Sequence, residues 1–147
     1  MRITGSCSLP FDVDKTYQQL HDPEVLAPCV PGCEAIEKLG EDEYAMQVKL
    51  AFAPFSGVFT GKIKITGAAP PHRFKLLVEG RGHVGFLKGE GLMNLSSTPA
   101  GTELTYDGDV QVGGAIAAAG QRVIDATAKT MIRKFFERFI EEVNKQP

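Results

Sequence analysis

The sequence predicts an α+β fold: a curved antiparallel sheet of about six to seven strands around one long C-terminal helix, with two short helices after the first strand. Three observations lead there. From Cys33 onward, apolar and polar residues alternate with period two for about 80 residues, as in a sheet with one dry and one wet face. From about Gly114 to Asn144 the period changes to 3.6 and no proline intervenes. The connections between strands are short and rich in Pro and Gly, so neighbours pair as hairpins. The dry face and the amphipathic helix each need a cover, and each supplies the other's.

The first strand spans residues 2–9, where Ile3, Gly5, Cys7 and Leu9 alternate with Arg2, Thr4, Ser6 and Ser8 until Pro10. Asp12 is placed to cap a short helix running to about Leu20, because its carboxylate can accept the free N–H groups of the first turn. Asp22-Pro23-Glu24 repeats the pattern, with Pro at the first helical position of a second short helix that runs toward Ala27. Pro28 and the Pro31-Gly32 turn end it. The strands that follow carry inward series such as Tyr44, Met46, Val48, Leu50 and Phe52, then Phe59, Gly61, Ile63 and Ile65, then Phe74, Leu76, Val78 and Gly80. Two more run through Leu87, Gly89, Gly91, Met93 and Leu95, and through Leu104, Tyr106, Gly108, Val110 and Val112. In the last helix Ile116, Gly120, Ile124, Thr127, Met131, Phe135, Phe139 and Val143 form one stripe. At 1.5 Å per residue this helix would be roughly 45 Å long, enough to cross the whole dry face of the sheet.

Composition narrows the function. The 147 residues are 43% apolar and 23% charged, the balance of a globular chain, so disorder is excluded as a global description. A formal net charge of −2 speaks against nucleic-acid binding. No apolar run is long enough for a membrane-spanning helix, and the N-terminus lacks an apolar signal core. Three cysteines make no disulfide framework, and the expected location is the cytoplasm.

The inward face is apolar or glycine except for the hydroxyls of Tyr44, Tyr106 and Thr127. General acid–base catalysis needs titratable groups in the pocket, and a metal site needs clustered His, Cys or carboxylates. Neither pattern occurs, so no catalytic residue, metal or cofactor is expected. The inward glycines Gly61, Gly80, Gly89, Gly91, Gly108 and Gly120 fill no volume. They either leave an apolar cavity between sheet and helix or only bend the sheet. If a cavity exists, its expected walls include Met46, Phe52, Phe59, Phe74, Met93, Tyr106, Gly120, Ile124, Met131 and Phe135, with Phe55 at its entrance. The apolar turn 52–59 reads as a lid, a contact point or a turn folded onto the long helix. Cys29 and Cys33 read as two buried thiols at a tight turn, and His21, His72 and His83 as surface residues on loops.

Several segments resemble the G-subunit family of carbon monoxide dehydrogenase, within the START-like helix-grip (SRPBCC) proteins. They are Asp22-Pro23 with Leu26, Cys29-Val30-Pro31-Gly32-Cys33-Glu34, Phe59-Thr60-Gly61-Lys62, Gly89-Glu90-Gly91, Gly101-Thr102-Glu103-Leu104-Thr105-Tyr106, and Gly113-Gly114-Ala115-Ile116-Ala117 leading to Gly120-Gln121-Arg122. The resemblance implies one START-like ligand-binding domain over residues 1–147. It implies a non-enzymatic accessory that carries a hydrophobic, quinone- or lipid-like molecule for a molybdenum hydroxylase of the carbon monoxide dehydrogenase type. Transient contact with the inner face of the membrane is a further implied partner. Family members that anchor there carry a long tail after the helix. This sequence ends at Pro147, so a form without that anchor is expected unless it is part of a longer chain. Two alternatives stand beside this reading. One is a polyketide cyclase- or aromatase-like enzyme using Tyr44 or Tyr106; the other is a protein–protein adaptor without a ligand.

Overall fold

In a computed structural model, which describes residues 1–51 and 56–146, seven antiparallel strands form one sheet in the order β1-β7-β6-β5-β4-β3-β2. The strands are β1 (Arg2–Leu9), β2 (Cys33–Gly40), β3 (Glu43–Leu50), β4 (Gly57–Ala69), β5 (Arg73–Gly82), β6 (Gly85–Thr98) and β7 (Gly101–Gly113). The short helices α1 (Val13–Gln19) and α2 (Pro23–Leu26) separate β1 from β2, and α3 (Gln121–Asn144) closes the chain. β2 to β7 run as a meander, while β1 returns to pair with β7, so the chain's first and last strands are neighbours. The architecture is the helix-grip arrangement that the periodicities predict.

Both predicted caps are present. An Asp12 carboxylate oxygen accepts from the Lys15 N–H at 2.7 Å, and one from Asp22 accepts from the Glu24 N–H at 3.0 Å. The fully buried Thr16 and Thr102 are also satisfied. Thr102 donates to the Phe11 carbonyl at 2.7 Å and Thr16 to the Asp12 carbonyl at 2.8 Å, which ties the start of α1 to β7.

The last helix departs from expectation. It begins at Gln121, not Gly114; residues Gly114–Ala119 form a 3₁₀ turn instead. Gly114 (φ 78°) and Gly120 (φ 91°) lie in the left-handed half of backbone space, which interrupts an α-helix at both points. The 24 residues of α3 span about 36 Å. Its buried residues, Phe136, Phe139 and Val143, all lie in its second half, whereas Val123 near its start is 44% exposed. There Phe139 meets Phe11 edge-to-face (6.3 Å between centroids) and Phe135 in a stack (6.2 Å). The core of Leu9, Phe11, Leu20, Cys29, Phe74, Leu95 and Leu104 gathers under this half of the helix and under α1 and α2. The helix is thus pinned to the sheet at one end.

His21 is a second correction. Its ring is tucked between Tyr17 (stacked, 4.3 Å) and Phe74 (4.6 Å), and Nδ1 lies 2.7 Å from the Tyr17 carbonyl oxygen. A carbonyl only accepts, so Nδ1 carries the proton, and the buried Nε2 has no partner among the described residues. Burial pushes the imidazole pKa down, outweighing the Tyr17 carbonyl and Asp42, which push it up. The folded chain therefore resists a proton that the unfolded chain takes up near pH 6.5. This stabilising contribution is present above that pH and is lost as the pH falls below it. Urea midpoints are expected to drop between pH 7.5 and pH 5, with a shallower drop in His21→Phe; equal slopes in the two proteins would contradict this.

Candidate functional site

Large residues on the inner face fold over the glycines they meet across the strands. Gly5 pairs with Tyr106, Gly61 with Met46 and Gly82 with Phe59. In each pair a methyl group added to the glycine would press into the partner side chain; at Gly82, for example, it would lie 2.7 Å from the Phe59 ring. Gly80 lies beneath Leu87, which an added methyl would meet at an ordinary contact distance of 3.5 Å. Gly91 and Gly108 also oppose each other, but the atoms nearest the Cβ position of either are all main chain. At this point the inner face is bare main chain.

An open cavity of about 380 Å³ stands over this bare patch. Gly89, Gly91 and Gly108 form its floor, Leu76, Val78, Leu87, Met93 and Val110 its sides, and Ile3 its border on β1. Met131, Ile132, Phe135 and Phe136 of α3 roof it, and Val30 and Pro31, after α2, close one flank. The size falls in the usual range for small-molecule sites, ~300–1,000 Å³. Over the glycines nothing rises from the sheet to meet the middle of α3, where the four roof residues stand.

The wall is almost wholly apolar. Glu90 alternates to the exposed face and meets the cavity through its main chain. Tyr106 brings a hydroxyl; its ring stacks on Phe136 at 6.3 Å and 20°. A phenol is protonated at neutral pH, and burial raises its pKa further above the ordinary value. The thiols of Cys7 and Cys29 are pushed up to about 11, chiefly by burial, which leaves neither as a ready nucleophile. Cys29 is buried and donates to the Val25 carbonyl at 3.1 Å, while Cys33 is partly exposed, so only one of the two thiols expected inside is there. No group of three or more His, Cys, Asp or Glu among the described residues is arranged to hold a metal.

Of the wall residues expected from sequence, Met93, Tyr106, Met131 and Phe135 line the cavity. Met46 and Phe59 do not; they lie over Gly61 and Gly82, off the wall. Phe74, 2% exposed, lies in the core against Tyr17 and His21. Gly120 and Ile124 stand at the start of α3, off the wall, because the break at Gly120 shortens the helix. Phe52 and Phe55 lie outside the described residues. Sequence reasoning missed Phe136, which a broader apolar arc of 132, 136, 139 and 143 would have included. It also missed Val30 and Pro31, which reach the wall only by tertiary folding. Tyr44, the other candidate hydroxyl, is off the wall and donates to the His21 carbonyl at 3.1 Å.

A family model for the carbon monoxide dehydrogenase G-subunit, CoxG, matches residues 5–144. A conserved protein from Geobacillus kaustophilus is 36% identical over 99% of this chain and 96% of its own, with a TM-score of 0.94. A START superfamily protein from Mycobacterium smegmatis superposes with a TM-score of 0.75 at 12% identity, over 98% of this chain and 97% of its own. Protein Ms6760 from the same organism gives 0.73 at 17%, over 97% and 90%. The two mycobacterial likenesses concern the fold alone. No curated protein matches the sequence.

Proposed function

The chain belongs to the CoxG family, the G-subunit family of carbon monoxide dehydrogenase, and from that premise we propose that it is a non-enzymatic accessory that carries a hydrophobic molecule in the cavity between its sheet and α3. The bare Gly91–Gly108 floor under an apolar roof is the observation that carries the reading. Apolar walls favour guests that bury apolar surface, at about 25 cal/mol per Å². The aromatic roof of Phe135 and Phe136, with Met93 and Met131 beside it, suits a flat or irregular guest of the quinone or lipid kind. The family's name supports service to a molybdenum hydroxylase of the carbon monoxide dehydrogenase type. With Tyr44 committed to His21, the cyclase-like reading keeps one hydroxyl, which is too little for acid–base work.

The test is native mass spectrometry and solvent extraction of the purified protein, followed by calorimetric titration with 1,4-naphthoquinone. One bound molecule per chain is the expected result. No extractable hydrophobic molecule and no naphthoquinone heat would overturn the proposal. Co-purification with molybdenum hydroxylase subunits tests the partner.

Transient contact with the membrane belongs to the same proposal. No helix among the described residues is long and apolar enough to cross a bilayer. At the end where β4 begins and β5 turns into β6, Val58, Phe86 and Val123 are exposed. Lys49, Arg81 and Arg122 stand exposed at the same end with no ion-pair partner among the described residues. Apolar tips ringed by cations favour an anionic lipid surface. Co-flotation with phosphatidylglycerol vesicles but not with phosphatidylcholine vesicles checks this; flotation with neither counts against it.

A further inference from the structure

We infer that the Tyr106 hydroxyl is the polar anchor of the cavity, and that the guest is an apolar molecule carrying a carbonyl oxygen on the side that faces β1. The inference rests on the carrier reading above. Every other wall side chain except that of Glu90, which lies on the opposite face, lacks a hydrogen-bonding group able to orient a guest. Tyr106 has no hydrogen-bond partner of its own among the described residues, whereas Tyr44 is committed to the His21 carbonyl. The hydroxyl is also held in place. The ring is stacked on Phe136, and its tip lies over the main chain of Gly5, where a methyl group would overlap the hydroxyl. Gly5 thus provides the space that aims this group, at a strand position where glycine is otherwise unfavourable. Lys129 is engaged with Asp125 at 3.0 Å and is not on the cavity wall, so the phenol O–H is the donor offered to the cavity. A phenol is protonated at neutral pH and donates, and its complement is an acceptor such as a carbonyl. A saturated hydrocarbon chain would leave it unpartnered, at a desolvation cost.

The experiment compares two probes of nearly equal shape, 1,4-naphthoquinone and naphthalene, in the full chain and in Tyr106→Phe. The expected result is a three- to tenfold loss of naphthoquinone affinity, the worth of one hydrogen bond, with naphthalene affinity unchanged. Gly5→Ala, which displaces the hydroxyl without deleting it, is expected to show the same selective loss. The infrared carbonyl band of bound naphthoquinone should move toward its free position in Tyr106→Phe. Equal losses for both probes would reduce Tyr106 to packing and overturn the inference, and so would no loss for either. If the unaltered protein binds naphthalene but not naphthoquinone, the cavity reading stands and the anchor falls. If it binds neither, the carrier reading fails first.

Discussion

Gly91→Phe is expected to abolish binding of naphthoquinone while leaving the protein folded. A Cβ at Gly91 meets nothing nearer than the Asp107 carbonyl oxygen and the Gly108 Cα, both at 3.9 Å, so the strand accepts a side chain there without strain. That side chain points at the roof of Phe135 and Phe136 and occupies the space the guest needs. Phenylalanine also suits a strand better than glycine, which weakens strand interiors. Thermal stability should therefore hold or rise while affinity falls at least tenfold, a loss of about 1.4 kcal/mol or more. Gly91→Ala, with one methyl group, is expected to give an intermediate affinity. Gly61 on the same face does not allow the same experiment. At Gly61 an added methyl would already meet the Glu79 carbonyl oxygen at 3.1 Å and Met46 at 3.3 Å. Binding by Gly91→Phe equal to that of the unaltered chain would mean that the guest sits elsewhere. Titration calorimetry and a melting curve on the same samples decide it.

Phe139→Ala should cause the largest loss of stability. Phe139 is fully buried, meets Phe11 edge-to-face and stacks on Phe135, at the place where α3 is pinned to the sheet. Large-to-small changes at such sites cost about 3–5 kcal/mol, because transfer and cavity terms add. For a domain of this size that lowers the melting temperature by roughly 6–20 °C. Phe135 leans on Phe139 and also roofs the cavity, so affinity for naphthoquinone should fall along with stability. Val123→Ala on the exposed start of the same helix is the control, with an expected effect within about 0.5 kcal/mol. A drop of less than about 2 °C for Phe139→Ala would show that α3 is held by something other than this aromatic cluster.

The sequence by itself determined the elements and their order. Period-two alternation places Phe74, Leu95 and Leu104 on one face of their strands, and Asp12 and Asp22 mark helix starts through local hydrogen bonding. These features depend on residues a few positions apart, and such neighbours are visible in a sequence. The break at Gly120 was less legible, because a glycine inside an apolar 3.6-residue pattern is compatible both with a continuous helix and with a left-handed kink. His21, next to a turn, has no local sign of the Tyr17 and Phe74 rings that enclose it.

Tertiary structure alone decided which glycines are empty. Gly61, Gly82 and Gly91 all fall on the inward side of their strands. Cross-strand register lays Met46 over the first and Phe59 over the second, and sets Gly108 against the third. A pocket is volume that no side chain reaches. It therefore depends on the residues brought opposite by pairing, up to about a hundred positions away in the chain for Gly5 and Tyr106. Local periodicity carries no information at that separation, so the sequence could place glycines on the dry face but not say which of them a neighbour would cover.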